Sequence, residues 1–189
     1  MSGIADIKGT YVLDASHSQL GFVARHAMVT KVRGHFAEFE GTAHIDGENP
    51  SASSVNVTIQ TASIDTNNKM RDDHLRTNDF LEADKYPTIT FNSTKVEQLD
   101  ADTVRITGDL TIKQTTRQVS IDFEFGGVAQ DPFGNTRIGF EGSTSINRQD
   151  YGVAFNAALE TGGVLVSDKI GIDNPKQKIA SENAAKDVR

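Results

Sequence analysis

Apolar and polar residues alternate with a period of two, and this most constrains what the chain can fold into. Val104, Ile106, Gly108, Leu110 and Ile112 are interleaved with Arg105, Thr107, Asp109, Thr111 and Lys113. Only an extended strand collects such a set on one face, so the segment predicts a strand buried on one side and wetted on the other. Val119, Ile121, Phe123 and Phe125 repeat the pattern, as do Val55, Val57 and Ile59. Strands of this kind mark a mainly β, antiparallel protein. Leu20, Phe22, Ala24 and His26 share a face on a further strand, which puts Arg25 on the outside. Phe39, Gly41, Ala43 and Ile45 continue a strand from near Val32, and Phe36 is out of phase with Phe39, so a bulge is expected near Ala37 or Glu38. Ile89 with Phe91 and Ile138 with Phe140 mark two more strands. Turns are expected at Asp46-Gly47, Leu99–Asp102 and Asp131–Gly134.

Two stretches break the rhythm. Residues 67–85 are polar, with Met70, Leu75, Phe80 and Leu81 as their large apolar side chains, and predict a short helical insert. Asn78 is the expected N-cap of a helix over Asp79–Ala83. After Ile172, Asp173-Asn174-Pro175 is expected to end the last strand, because proline has no N–H for a ladder. The division that follows is an N-terminal extension (1–9), one β-barrel domain (10–174) and a mobile tail (175–189).

Composition excludes several functions. There is no Cys, so disulfides, thiolate metal sites and cysteine nucleophiles are absent. The formal net charge of −7 argues against nucleic acid and against electrostatic docking on anionic lipid. No apolar run is long enough to span a bilayer as a helix, which argues against stable membrane insertion, and no basic-then-apolar leader opens the chain, so a cytoplasmic location is expected, or a periplasmic or secreted one if a leader has been removed. His17, His26, His35 and His44 are spaced by nine, an odd step that turns successive side chains to opposite faces of a strand, so no metal site is expected. Asp72, Asp73, Glu82 and Asp84 near His74 match no calcium loop. Signatures of hydrolases and phosphate-binding loops are missing, and no catalytic residue, enzyme activity or required cofactor is predicted.

Binding is the alternative. An antiparallel barrel of eight or more strands either fills its interior or encloses a ligand cavity, and both share one sequence pattern. The inward candidates are Leu20, Phe22, Ala24, His26, Phe36, Phe39, Val57, Ile59, Phe91, Leu110, Ile112, Phe123, Phe125, Ile138 and Phe140. With ten Phe, three Tyr and no Trp, such an interior can be apolar without buried polar atoms to satisfy.

Several segments, in order, carry a resemblance. They are Asp14–His26, Val32-Arg33-Gly34-His35-Phe36, Arg71-Asp72-Asp73-His74-Leu75-Arg76 to Asp79-Phe80, Lys85–Phe91, Gly108–Lys113 with Thr116-Arg117, Asn147–Val153 and Gly163–Asp168. Together they resemble the YceI-like family over roughly residues 10–172. The resemblance implies a lipocalin-like antiparallel β-barrel with a long apolar pocket. It implies as partner a polyisoprenoid, an isoprenoid quinone or another long-chain lipid, carried or stored in the interior. A filled barrel acting as a structural or protein-interaction module is the alternative, and a homodimer stays open. His17, Ser18, Arg25, His26, His74, Arg76, Asp79 and Arg148 fall on motif positions, with His26 the expected polar group inside the pocket. Gln114 and Gln118 stand where the family has Gly and Pro. Asn174-Pro175-Lys176 interrupts the expected last strand, which predicts a shortened seam with exposed backbone beside it.

Overall fold

The computed structural model describes residues 3–157 and 166–181, with side chains described as far as residue 172. Eleven strands form one antiparallel sheet: β1 (Lys8–Leu13), β2 (Leu20–His26), β3 (Thr30–Phe36), β4 (Phe39–Asp46), β5 (Ser54–Gln60), β6 (Ile64–Asp65), β7 (Thr88–Gln98), β8 (Thr103–Ile112), β9 (Thr115–Gln130), β10 (Thr136–Asn147) and β11 (Lys169–Ser181). One helix, α1 (Lys69–Leu75), stands between β6 and β7. Pairings β1–β4–β5–β7–β8–β9–β10–β11 return to β1 and close the barrel. β11 is the seam. Its Gly171–Asp173 stretch pairs with β2, and its Ile179–Ser181 end pairs with β1. β2 leads on to β3 and β6, which widen the barrel at that half of the seam.

The alternation read from the sequence survives intact in β5, β8 and the first half of β9. Where it lapses, the ladder explains why. In β7, Phe91 and Val96 both belong to the interior although they are five residues apart. A register shift against β8 between Ser93 and Lys95 resets the phase at Thr94. A similar shift in the β9–β10 pairing falls at Gly126, next to Gly127 at φ +115°.

The last strand corrects the expected interruption. β11 runs through Pro175 to Ser181, so the seam is full-length and no shortened edge is left beside it. β10 pairs Phe140 with Gln177 but Gly142 with Asn174, so Pro175 and Lys176 together oppose Glu141. That is a bulge, a site in a sheet where proline's missing N–H costs no ladder bond. Residues 182–189 of the expected tail lie outside the described residues, as do Gly163, Val164 and Leu165 of the last matching segment. Within the expected N-terminal extension, Ile4 and Ile7 are buried against the barrel and β1 begins at Lys8.

Two smaller readings change. The strand expected from Val32 to Ile45 is two, because the chain leaves β2 and β6 at Phe36 and joins β1 and β5 from Phe39. Asn78 caps nothing. The helix is α1, whose N-cap Asn68 accepts from the Arg71 N–H at 3.0 Å, and residues 76–86 run in turns with Glu82 at φ +49°. In the β8–β9 turn Lys113 takes the left-handed conformation (φ +56°).

Phenylalanine rings lie flat on glycines of the neighbouring strand. A Cβ on Gly34 would stand 2.3 Å from Phe22 Cζ; on Gly108, 2.6 Å from Phe91 Cζ; on Gly142, 2.6 Å from Phe123 Cδ1. Each ring occupies the place of a missing side chain, so it covers the wall instead of crossing the interior. Gly142→Ala should cost about 1–3 kcal/mol, because the methyl meets both the Phe123 ring and the Asp122 carbonyl 3.0 Å away. Urea unfolding monitored by far-ultraviolet circular dichroism measures it.

Candidate functional site

The barrel encloses an apolar cavity of about 370 Å³, within the usual range for small-molecule pockets. Every second residue of the long strands lines it: Val55, Val57 and Ile59 from β5, Val104, Ile106, Leu110 and Ile112 from β8, and Val119, Ile121 and Phe123 from β9. Leu20, Phe22 and Ala24 of β2 and Ile170 and Ile172 of β11 add the seam side. From Val104 to Ile112 the wall spans about 27 Å of strand, at about 3.4 Å per residue.

Each end is covered by buried apolar side chains. At one end the single turn Ile4–Asp6 lays Ile4 and Ile7 over the barrel, held where the Gly47 N–H donates to the Ile7 carbonyl at 2.8 Å. At the other, Leu75, Phe80 and Leu81 meet Tyr151 and Val153. There the rings of His74, Phe80 and Phe155 form a mutual edge-to-face triangle, each pair with centroids 5.1 Å apart. Polar side chains anchor this cap. Asp72 accepts from the N–H and hydroxyl of Thr66 at 2.8 and 2.5 Å, and Arg71 Nε donates to Thr66 Oγ1 at 2.7 Å. Arg76 donates to the carbonyls of Ala62 and Ile64.

Of the expected lining residues, Leu20, Phe22, Ala24, Phe36, Val57, Ile59, Phe91, Leu110, Ile112, Phe123 and Phe140 border the cavity. Four do not. Ile138, 1% exposed, belongs to a solid cluster with Ile7, Tyr11 and Ala43, and Phe125 packs on the same cluster. Ile7, Ala43, Val55 and Phe140 of the same cluster do border the cavity, so Ile138 and Phe125 pack behind its lining. Phe39, at the corner between β3 and β4, lines a separate hollow with Ala15–Gln19 and His35. His26 is exposed, because it ends β2 beyond the cavity, where it bridges to Val166.

The other motif residues build the frame. His17 Nδ1 lies 2.8 Å from Asp14 Oδ2, a carboxylate also paired with Arg137. His74 Nε2 lies 2.7 Å from Asp79 Oδ2, and Arg25 is exposed on the outer face. Among the described residues no three His, Asp or Glu side chains gather as a metal site.

Arg148 is the exception. It borders the cavity, is 4% exposed, and donates from Nε to the Ser167 carbonyl at 2.9 Å, from Nη1 to Val153 at 2.6 Å and from Nη2 to Val166 at 3.3 Å. Burial lowers its pKa from the usual arginine value, and the Asp168 carboxylate 3.5 Å away opposes that shift. Tyr151 beside it is buried as well, which raises its phenol pKa. Periodicity could not find Arg148, since it stands in a turn after β10; only its place in the Asn147–Val153 motif marked it. Ile4 and Ile7 also lie outside any strand pattern, and Leu75, Phe80 and Leu81, read as the apolar side chains of the helical insert, were not assigned to the cavity. Arg148→Leu should lower stability by about 3 kcal/mol, because three carbonyls lose their donor in a dry setting. Urea denaturation midpoints at constant m-value test it.

Residues 11–174 match the model of the YceI-like domain. A UPF0312 protein of Staphylococcus aureus (strain N315) is 36% identical over 173 residues, covering 91% of this chain and 98% of that protein. Burkholderia cenocepacia BcnA has a similar structure, with a TM-score of 0.74 and 26% identity over 89% of this chain and 99% of its own. A polyisoprenoid binding domain from Saccharophagus degradans, implicated in plant cell wall breakdown, shares the fold at a TM-score of 0.66 and 14% identity, covering 93% of this chain and 99% of its own. With the domain model spanning nearly the whole barrel and a relative alike over almost its full length, this chain belongs to the YceI-like family.

Proposed function

We propose that this protein holds a long apolar chain, a polyisoprenoid or isoprenoid quinone, in the barrel interior, as a non-catalytic carrier or store. The observation that carries this reading is the elongated cavity, walled by aliphatic and Phe side chains drawn from strands on every side of the barrel. Each CH₂ moved from water into such a wall contributes about 0.8 kcal/mol, so a hydrocarbon tail needs no directional contacts to bind. Arg148 is the buried group suited to an oxygen-bearing head, through a guanidinium hydrogen not engaged by the three carbonyls. The Saccharophagus degradans domain of the same fold is described as polyisoprenoid binding, which favours this class of ligand over other lipids.

Organic extraction of the purified protein followed by mass spectrometry should release an isoprenoid-type lipid. Recovery of no apolar molecule, together with no uptake of quinones added to the protein, would sink the reading. Within a quinone series, affinity should climb with tail length, by more than tenfold for the first added isoprene units, until the cavity is full. Ala24→Phe, which projects a ring into the lumen, should weaken uptake while leaving the strand content intact. Equilibrium dialysis with quinones of graded tail length reads both effects.

A further inference from the structure

Two residues of the β2–β3 turn, Met28 and Val29, are 57% and 79% exposed. The turn is held in a costly conformation. Ala27 (φ +52°) and Met28 (φ +66°) both occupy the left-handed region, and the Val29 N–H donates to the His26 carbonyl at 3.2 Å. Glycine or asparagine would adopt that backbone with less strain and without an apolar tip.

The flanking charges are costly too. Arg25 faces Lys31 directly across the hairpin, and Arg33 stands diagonally beside them, opposite Val23. Like charges paired across strands repel, and all three are exposed. No Asp or Glu occurs between residues 15 and 37, although the whole chain has 26. Among the described residues no carboxylate lies within ion-pair distance of the three. Carboxylates at this end of the barrel are engaged elsewhere: Asp168, next to the Ser167 that bonds the Arg25 backbone, lies 3.5 Å from Arg148, Asp150 faces Arg117, Asp73 is paired with Lys69 and Arg76, and Asp79 with His74.

The other exposed apolar tips differ. Leu99 and Phe133 sit in turns with Asp100, Asp102 and Asp131. Among the described residues, the β2–β3 tip alone joins exposed apolar side chains to unpaired bases. It also adjoins the cavity, since Ala24 lines it and His26 bridges to Val166, another lining residue.

We propose that the β2–β3 hairpin docks the protein on an anionic bilayer, with Met28 and Val29 entering the interface and Arg25, Lys31 and Arg33 meeting the headgroups. Apolar residues at a tip ringed by bases are the elements of reversible interfacial binding. The net charge of −7 averages over a surface on which this hairpin is locally cationic. Docking stands on these features alone; a part in passing an apolar chain between membrane and cavity rests on the proposed function.

Flotation of the full chain with phosphatidylcholine–phosphatidylglycerol vesicles, free of isoprenoid, tests the docking. Protein should float with them at low salt, stay behind with phosphatidylcholine alone, and be released at about 0.5 M NaCl. Met28→Ser with Val29→Ser, and separately Lys31→Glu with Arg33→Glu, should each lower vesicle affinity at least tenfold, since each base near an anionic surface is worth about a fivefold change. Leu99→Ser, at the opposite end, should change nothing. Lys31→Glu places a carboxylate opposite Arg25, so the melting temperature should hold or rise as binding falls, which separates lost docking from lost folding. Equal binding to neutral and anionic vesicles, absence of binding, or variants that float like the parent would each overturn the proposal. Because the vesicles hold no isoprenoid, the result is independent of what the cavity binds.

Discussion

The contact on which the barrel's hollowness depends is a phenylalanine ring laid over the Cα of a glycine across the ladder. Phe22 on Gly34, Phe91 on Gly108 and Phe123 on Gly142 repeat one solution on three strand pairs. A ring standing upright from a wall would meet its counterpart across a barrel of this size and fill the interior. A ring turned down onto glycine keeps its buried area while leaving the axis free. The abundance of Phe without Trp therefore has a geometric meaning only in company with these glycines. Where no glycine receives the ring, at Phe125 and Phe140, the two aromatics pack on each other at 5.7 Å, beside the buried Ile138.

Polarity inside the barrel follows from the same economy. A wall of aliphatic groups can be lined at no hydrogen-bonding cost, so a buried cation needs a specific reason. Arg148 is tied to the carbonyls of Val153, Val166 and Ser167, and so joins the turn after β10 to the segment leading into β11. It is at once a structural tie and a buried charge bordering the cavity. The histidines that punctuate the N-terminal half have no such place. They sit on the outside or at strand ends, partnered by Asp14, Asp79 and Thr10.

Much of this was legible in the sequence because a strand announces which face it buries. β5, β8 and the first half of β9 could be read residue by residue, and the lining from Val57 to Phe123 followed. What could not be read was set by contacts distant in sequence. His26 has the phase of an inward residue but comes one step too late along β2, a matter of where the strand ends relative to the barrel. Phe39 has the phase of Gly41 but begins its strand at a corner. Asn78 has the chemistry of a cap, yet Asn68 serves, because Arg71, Asp72 and Arg76 dock the earlier turn on Thr66 and its neighbours. The caps at Ile4, Ile7 and Phe80 carry no period at all, since they are loops that become interior only once the barrel exists.

The bulge at Pro175 has a consequence for how the barrel can assemble. β11 must satisfy three neighbours: β10 along most of its length, β2 as far as Asp173, and β1 from Ile179. A slip of one residue would turn every alternate side chain from lumen to solvent, and a regular strand offers little to forbid it. The two residues set against Glu141 lie between the stretch that belongs to β2 and the stretch that belongs to β1. With no N–H to give, Pro175 cannot stand in for a regular ladder position. It works as a registration mark, fixing the one alignment in which both halves of the seam close together.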